Sequence, residues 1–396
     1  MFKFKHYKLQ NIILSLLLIS GAIKPFLTVL IIDFNITLFM LILTVTDIMF
    51  VSKKHIVLDK NKIILILTLI TFYFLILISL IYTKSNSYGY FKSATFIINI
   101  IYFIYPLFIK KLNLKIIYKT ITFIILPTSI WFVIYRYLYW TPAYYHVRLT
   151  KDGFYHLTNA YLALGLFLGM GIIMNYFLKY NKLVLLIYII TLIAIGARGP
   201  LLLTFILILS YKAFTYWKMI KTRYPLKFSQ KTIYIVLISL IASIPLLFYN
   251  LNDNGFFKYG IMRLRSFLNF SSDNSSQERI DRFLFSFEHV LDTPFSLFFG
   301  HGIGSFGIMY KNLDQREYPH NIYVESLFEL GMFGLILIML LTLTPYLLKR
   351  KLLFKLIAIY MLLNAQKTSS LSDLWVLFLF YGILIFNPTV HKRITP

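Results

Sequence analysis

A histidine, an asparagine and two glutamates stand at the start of an otherwise apolar segment, PHNIYVESLFELGMFG, at residues 319–334. A helix that begins here, at the proline or the histidine, places Asn321, Glu325 and Glu329 on one face, because they are four residues apart. Ionisable groups that enter a membrane on one stripe are costly, so this stripe is a candidate functional site. The alternative is a helix that packs against a polar partner. His320, paired with these groups, can serve as a base near neutral pH.

Three arginines supply a second kind of candidate chemistry. Arg198 lies in the tight turn GARGP, where its guanidinium and the neighbouring backbone N–H groups are exposed to the same small space. That combination suits a phosphate, and the alternative is an interfacial arginine that reaches for lipid head groups. Arg279 and Arg282 lie one turn apart on a predicted helix that starts with a capping-box spacing at residues 275–278. Alone, these two arginines would form a solvated face.

The predicted helix that carries Arg279 and Arg282 is amphipathic. Apolar side chains recur along it at three- and four-residue steps: Ile280, Phe283, Leu284, Phe287 and Leu291. Polar side chains lie on the opposite side: Arg279, Arg282, Ser286 and His289. We expect this helix to rest on the membrane surface or on the helical bundle, with its polar side towards water.

Glycines alternate in the segment FFGHGIGSFG, at Gly300, Gly302 and Gly304. A nucleotide-binding loop needs a preceding parallel strand, and the sequence predicts none here. Tight backbone bends that return the loop to the bundle are the better interpretation. The histidines are scattered and the aspartates of the loop lack ligand spacing, so we expect neither a metal site nor another cofactor.

The composition is that of an integral membrane protein, with 59% hydrophobic residues and a mean hydropathy of +0.73. The chain has no cysteine, so it has neither a disulfide framework nor thiol chemistry. Its net charge of +25 comes from short basic clusters between apolar runs, as in cytoplasmic loops. A nucleic-acid-binding protein would instead show a continuous basic face. We therefore expect anionic membrane lipids, and no nucleic acid, as the partner of these clusters.

Apolar runs long enough to cross a bilayer recur about twelve times along the chain. They lie near residues 9–32, 36–51, 62–82, 91–109, 116–138, 157–178, 182–197, 199–217, 232–249, 320–345, 352–366 and 369–387. When the spans alternate from a cytoplasmic N-terminus, the basic loops fall inside and both termini are cytoplasmic. One outer loop, residues 250–319, is long enough to have its own structure and a function. We predict an all-α polytopic membrane protein, a single membrane domain over residues 1–396 with this long, partly helical extracytoplasmic loop.

The order of these features resembles that of the O-antigen ligase and polymerase family. The shared features are Arg198 in a turn between spans, S-x-x-R at Ser276–Arg279 in a long outer loop, the glycine segment GxGxGSFG, and HNxYxExxxExGxxG. The resemblance is closest over residues 275–336 and weaker over residues 196–204. The family comprises bacterial membrane enzymes that join lipid-linked oligosaccharides outside the cytoplasmic membrane.

The resemblance implies an inverting glycosyltransferase of the bacterial inner membrane that acts at its outer face without a metal ion. It implies a donor and an acceptor linked to undecaprenyl diphosphate, with a chain-length regulator as a further partner. By their matching positions, Arg198 and Arg279 hold the diphosphate and His320 acts on the acceptor. Arg282, one turn from Arg279, is the alternative second arginine for the diphosphate. Four residues are assigned to substrate binding or orientation: Arg282, Asn321, Glu325 and Glu329.

The leading hypothesis for the function is an O-antigen or capsular polysaccharide polymerase, which extends a glycan chain on its lipid carrier. The first alternative is a ligase that transfers the same chain to lipid A–core, and hence acts in lipopolysaccharide synthesis. PHNIYVESLFELG together with an intact glycine segment is more similar to the polymerase branch. The second alternative, a flippase or transporter, would be expected to spread intramembrane charges along several helices.

Overall fold

A computed structural model describes residues 6–30, 35–51, 59–109, 111–139, 160–221, 274–348 and 351–386. All regular elements in these residues are helices, so the all-α prediction is confirmed. The α-helices, in chain order, are α1 (His6–Leu30), α2 (Ile36–Val51), α3 (Lys60–Ser79), α4 (Tyr88–Ile104), α5 (Leu114–Tyr139), α6 (Ala160–Leu178), α7 (Lys182–Ile195), α8 (Arg198–Lys221), α9 (Asn274–Val290), α10 (Pro294–Phe299), α11 (Ser305–Lys311), α12 (Ile322–Leu347), α13 (Leu352–Thr368) and α14 (Trp375–Phe386). Short 3₁₀ helices lie at Tyr105–Phe108 and Leu371–Asp373.

The helices account for the predicted spans, apart from the one at residues 232–249, which lies outside the described residues. Within the described residues, seven helices are long and apolar enough to cross a membrane: Tyr7–Leu27, Lys60–Ser79, Tyr88–Phe108, Leu114–Arg136, Ala160–Leu178, Arg198–Trp217 and Ile322–Leu347. Shorter apolar helices add Ile36–Phe50, Lys182–Ile195 and Trp375–Phe386. The chain is therefore a polytopic helical membrane protein, as predicted.

The chain forms two compact units. The first comprises Met1–Ser20, Thr37–Ile117 and Asp273–Pro396, and the second comprises Gly21–Ile36 and Tyr118–Ser272. Of the predicted outer loop at residues 250–319, the structure describes the part from residue 274 onwards. The single membrane domain over the whole chain stays a prediction.

In the first unit, α14 packs along α4. Phe378 contacts both Phe96 and Phe103 edge-on, with ring centroids 6.0 Å apart in each pair. A Cβ atom at Gly382 would lie 2.1 Å from the carbonyl oxygen of Phe103, so this close approach of the two backbones requires glycine. The packing fixes α4, which carries the buried charge Lys92 of the candidate site.

The N-terminus of α12 is set by an asparagine cap. The side-chain oxygen of Asn321 accepts hydrogen bonds from the N–H groups of Tyr323 at 3.0 Å and Val324 at 3.1 Å. Asparagine at this position satisfies N–H groups that have no partner inside the helix. The helix therefore begins at Ile322, and the prediction that it begins at the preceding proline or histidine is wrong.

Gly331 interrupts α12 with a left-handed φ of 65°. The preceding turn offers its carbonyl groups to the glycine segment: the carbonyl oxygens of Phe328 and Glu329 accept hydrogen bonds from the N–H groups of His301 and Gly302, both at 2.9 Å. The three alternating glycines of this segment have positive φ: 76° at Gly300, 88° at Gly302 and 78° at Gly304. The backbone bends expected of the segment are thus present, and they bind it to α12.

The polar face of α9 points into the first unit. Arg282 and Ser286 are buried, and Val290 joins an apolar cluster with Phe306 and Phe328. The apolar stripe of the helix is exposed: Ile280, Phe283, Leu284, Phe287 and Leu291. The prediction that the polar side faces water is wrong, because Arg282 and Ser286 have their hydrogen-bond partners inside the unit.

The second unit combines apolar packing with buried hydrogen bonds between α5, α6 and α7. Asn175 donates to the hydroxyl of Tyr118 at 2.6 Å, and the hydroxyl of Tyr188 donates to Thr122 at 3.0 Å. α7 ends at Gly196, which has a left-handed φ of 73°, and α8 begins two residues later. GARGP is therefore a tight turn between two helices, as predicted.

Candidate functional site

His320 lies just outside the N-terminus of α12, with a left-handed φ of 59°. Such a φ is uncommon for residues other than glycine, although histidine is among those enriched there. Its ring contacts Tyr318, with a centroid distance of 4.4 Å. The Nδ1 atom is buried and has no hydrogen-bond partner among the described residues. A buried nitrogen with free bonding capacity is a candidate for contact with a substrate.

The surroundings of His320 keep its imidazole neutral. The pKa of His320 is lowered to about 4, first of all by burial. Repulsion from three arginines contributes to this lowering, Arg279 first, then Arg282 and Arg316, whereas Glu278 raises the pKa. At neutral pH the ring is therefore uncharged, so it can accept a proton or a hydrogen bond.

Arg282 is committed to contacts within the protein. Its guanidinium lies 2.7 Å from a carboxylate oxygen of Glu278 and 2.5 Å from one of Glu317. It also donates to the carbonyl oxygen of Tyr318 at 3.1 Å. Since the residue is only 6% exposed, these contacts hold α9 against the segment that leads to His320.

Arg279 differs from Arg282 in its partners. It lies one turn earlier on α9, is half-buried, and takes part in none of the ion pairs between described residues. Its charge lowers the pKa of His320 more than any other charged group does. A guanidinium without a carboxylate partner, beside a neutral imidazole, suits an anionic ligand. Of the two arginines, Arg279 is thus the one without a carboxylate partner among the described residues.

Arg316 is a third arginine of this site, which the sequence reasoning missed. It forms an ion pair with Asp373 and lies over the ring of Tyr318, 5.7 Å from the centroid. The available signal was its position four residues before His320, in the segment REYPHN. That segment shows no helical pattern, so the four-residue spacing does not place Arg316 and His320 on one helix face.

A buried cluster of three charges lies on α4 and α12. The ammonium of Lys92 is 2.5 Å from Glu325 and 2.7 Å from Glu329, and all three side chains are at most 1% exposed. Glu325 also accepts hydrogen bonds from the hydroxyl of Ser370 at 2.5 Å and from the N–H of Leu371 at 3.0 Å. The sequence reasoning missed Lys92, although a lysine inside a predicted span is itself a signal.

Asp314 fixes the segment before His320 to the N-terminus of α4. Its carboxylate accepts hydrogen bonds from the hydroxyl of Ser85 at 2.6 Å and from the N–H and hydroxyl of Ser87 at 2.7 and 2.9 Å. Burial raises the pKa of Asp314, but these hydrogen bonds outweigh it and lower the pKa below its ordinary value. With Asp314 held by α4 and Tyr318 held by Arg282, the backbone that presents His320 is fixed from both sides.

The four residues predicted to bind or orient the substrate all make structural contacts. Asn321 caps α12, Arg282 joins two carboxylates, and Glu325 and Glu329 bind Lys92. These contacts hold α9 and α12 in position. Direct contact of the four residues with a substrate stays a prediction.

Arg198 belongs to the second unit, where it is the first residue of α8. Its side chain is half-buried, and Ala197 before it is fully buried. A Cβ atom at Gly165 of α6 would lie 2.2 Å from the Cβ of Ala197, so α6 packs tightly against this turn. The role of Arg198 in holding a diphosphate stays a prediction.

Comparison with protein families identifies one region of the chain. Residues 183–339 match the family described as O-antigen ligase. This region is similar to O-antigen ligases. The match confirms the resemblance seen in the sequence, and it supports a function of the O-antigen ligase or polymerase type. No curated protein matches the chain.

The matched region contains most of the candidate residues. Arg198, Arg279 and His320 all lie within the matched residues, and so does Arg316. Lys92, which holds the two buried glutamates, lies outside the match. Within the residues that the structure describes, no group of three histidines or carboxylates is placed to hold a metal ion.

Proposed function

We propose that the protein is a polysaccharide polymerase of the bacterial cytoplasmic membrane. It transfers an O-antigen or capsular glycan chain from undecaprenyl diphosphate onto a lipid-linked repeat unit. The match to the O-antigen ligase family supports a glycan ligase or polymerase. The narrower choice of a polymerase rests on the likeness of PHNIYVESLFELG and the glycine segment to that branch of the family.

The observation that carries the proposal is that the buried imidazole of His320 lies within the electrostatic influence of Arg279. His320 offers a buried Nδ1 without a partner among the described residues. Arg279 is the strongest of the nearby charges on that imidazole, and no described carboxylate pairs with it. A neutral base beside a guanidinium matches the two needs of the reaction, which are deprotonation of a hydroxyl and stabilisation of a diphosphate.

In the proposed step, His320 takes the proton from a hydroxyl of the acceptor sugar. The hydroxyl oxygen forms a bond to the anomeric carbon of the donor glycan, on the face opposite the leaving group, so the configuration inverts. The bond between that carbon and the diphosphate oxygen breaks, and undecaprenyl diphosphate leaves with the bonding electrons. Arg279 stabilises the negative charge that develops on this leaving group, as a metal ion would do in other enzymes. The proton on His320 then passes to water.

A base with a pKa near 4 is weak, and binding of the donor raises the pKa of His320. After burial, the charge of Arg279 is the largest cause of this low pKa. A diphosphate bound to Arg279 neutralises that charge, and the pKa of His320 rises. The histidine thus becomes a stronger base when the donor is in place.

Arg198 and the membrane orientation complete the proposal. The family resemblance assigns Arg198 to the same diphosphate. The basic loops favour cytoplasmic termini, which places the chemistry at the outer face of the cytoplasmic membrane. A chain-length regulator is the proposed protein partner.

The alternative is a ligase that transfers the chain to lipid A–core, which the description of the matched family favours. Deletion of the gene distinguishes the two functions by the glycan that remains. A polymerase is expected to leave core plus a single repeat unit at the cell surface. Bare core, with long chains still on the lipid carrier, would show a ligase and overturn the proposal. Loss of all outward-facing lipid-linked chains would show a flippase.

A further inference from the structure

The apolar side chains of α9 that face away from the first unit are between 39% and 71% exposed. They are Ile280, Phe283, Leu284, Phe287 and Leu291. On the opposite side of the helix, Arg282 and Ser286 are buried. This is the reverse of the arrangement of a surface helix in water, whose polar side faces the solvent. The exposed stripe therefore needs an apolar environment.

Exposed aromatic rings are present on α9 and on α10. On α9 the rings of Phe283 and Phe287 lie 4.8 Å apart, and both are exposed. On α10 the exposed rings of Phe295 and Phe299 stack at 5.2 Å. Phe299 then lies 5.4 Å from the ring of Phe333 on α12. Ring contacts thus join the apolar surface of α10 to that of α12, and α9 ends four residues before α10 begins.

The exposed face of α12 continues this surface along a membrane span. Ile322–Leu347 is long and apolar enough to cross a bilayer. Beyond Phe333, its exposed side chains include Ile336, Leu340 and Leu343. In a helix that spans a bilayer, an exposed apolar face contacts acyl chains. Because Phe299 of α10 contacts this face, lipid is also the neighbour that fits α10. The exposed apolar stripe of α9, directly before α10 in the chain, fits the same neighbour.

Charged residues mark one edge of the apolar face of α9. Asp281 and Glu288 are both exposed, and they lie seven residues apart, so they line the same side of the helix. Carboxylates avoid hydrocarbon, so this edge faces water. A helix with one face in lipid and a charged edge in water lies in the plane of the membrane surface.

We infer that α9 and α10 lie in the membrane–water interface, with the apolar stripe of α9 inserted among the acyl chains of the bilayer. This placement holds Arg279 at the depth of the lipid head groups. A diphosphate on a membrane-anchored isoprenoid lies at the same depth, so α9 presents the guanidinium to the donor where the donor resides. That last consequence alone rests on the proposed function.

The absence of cysteine from the chain allows a direct test. Single-cysteine variants at Leu284 and Phe287 report on the stripe, and variants at Asp281 and Glu288 on the same helix are matched controls. A variant at Ile336 gives the value for a lipid-facing position on the span. Each is labelled with a nitroxide, the protein is reconstituted without glycolipid into phosphatidylethanolamine–phosphatidylglycerol vesicles, and collision rates with oxygen and with a water-soluble nickel chelate are measured.

At Leu284 and Phe287 we expect oxygen to collide more often than the nickel chelate, as at Ile336. At Asp281 and Glu288 we expect the reverse. Preferential access of the nickel chelate at Leu284 and Phe287 would show a face in water and overturn the inference. Low access of both reagents would show that protein covers the face, and would overturn it equally. Quenching of a bimane fluorophore at the same cysteines by brominated phospholipids gives an independent second measurement. All five sites are exposed, so the fold tolerates the labels. None of these outcomes depends on the enzymatic reaction.

Discussion

The ammonium of Lys92 on α4 lies 2.5 Å from a carboxylate oxygen of Glu325 on α12, with both side chains buried. The same ammonium contacts Glu329 one turn further along α12. Glu325 in turn binds Ser370 and Leu371. These contacts join α4, α12 and the segment at residues 370–371. The cluster therefore positions the first turn of α12 and the histidine that precedes it.

Replacement of Lys92 by methionine is expected to destabilise the first unit by about 3–5 kcal/mol, because it leaves two buried carboxylates without their cation. Lys62→Ala is the matched control. Lys62 pairs with Asp59 at 3.2 Å, but that carboxylate is 58% exposed, and a surface pair contributes about 0–1 kcal/mol. The measurement is the thermal unfolding of both variants in the same detergent. Equal melting temperatures would contradict the role assigned to the cluster.

The triple variant Lys92→Met, Glu325→Gln, Glu329→Gln tests the electrostatic cause. It removes the unpaired carboxylates, and glutamine at position 325 can still accept the hydrogen bond from Leu371. We expect it to recover part of the stability that Lys92→Met loses. A triple variant less stable than Lys92→Met would show that the volume and shape of the lysine matter more than its charge.

Arg279 and Arg282 are expected to fail in different ways when changed to alanine. Arg279→Ala should lower the rate of glycan transfer by about 10²–10³-fold, the range for loss of one group that stabilises a developing oxyanion. Its melting temperature should change little, since no described carboxylate pairs with Arg279. Arg282→Ala should cost about 1.5–3 kcal/mol of stability, because Glu317, which is 14% exposed, loses its closer charged partner and keeps Lys311 at 3.2 Å.

The measurement compares thermal unfolding with transfer of lipid-linked repeat units isolated from the host. If Arg282→Ala keeps the melting temperature and loses transfer, Arg282 is the phosphate ligand. The roles assigned to Arg279 and Arg282 would then be reversed.

The low pKa of His320 has a consequence for the pH dependence of the free enzyme. With a pKa near 4, the base form persists well below the ordinary value of 6.5, so kcat/KM should not fall until the pH approaches 4. Arg279→Gln removes the charged group that lowers this pKa most. The fall of kcat/KM at acid pH should therefore begin at a higher pH in that variant. An acid limb that stays in place would show that Arg279 does not act on His320.

The lowered pKa of His320 also makes the stability of the protein depend on pH. Because the folded-state pKa of His320 is lowered, the unfolded chain binds the proton first as the pH falls. The contribution is fully present above pH 6.5 and is lost as the pH falls towards 4. Wild type should therefore lose more stability between pH 7 and pH 4 than His320→Asn does, as thermal unfolding across this range would show.

The apolar periods of the sequence predict the helices well, because bilayer thickness sets their length. α2 has the predicted bounds of 36–51, and the GARGP turn separates α7 from α8 as expected. The start of α12 was misplaced because the side chain of Asn321 can either continue a helix or cap it. Local sequence does not decide between these two conformations.

The parts of the site that depend on long-range contacts could not be predicted. The partner of Glu325 and Glu329 is Lys92, far away in the sequence, and no local spacing encodes that pair. The predicted orientation of α9 is wrong for a different reason. In a membrane protein both lipid and the bundle accept an apolar stripe, so amphipathicity alone does not tell which of them the stripe contacts.

His320→Asn is the variant that tests the base most cleanly. Asparagine tolerates the left-handed φ of 59° at this position, which alanine would meet with strain. Nδ1 of His320 has no hydrogen-bond partner among the described residues, so the change should leave the melting temperature nearly unaltered. Removal of a general base lowers rates by about 10²–10⁴-fold, and we expect a loss of this size in glycan transfer. His289→Asn is the matched control, because His289 is a partly exposed histidine of α9 that pairs with Asp292, away from the reaction. Transfer at the wild-type rate by purified His320→Asn would exclude this histidine as the acceptor base.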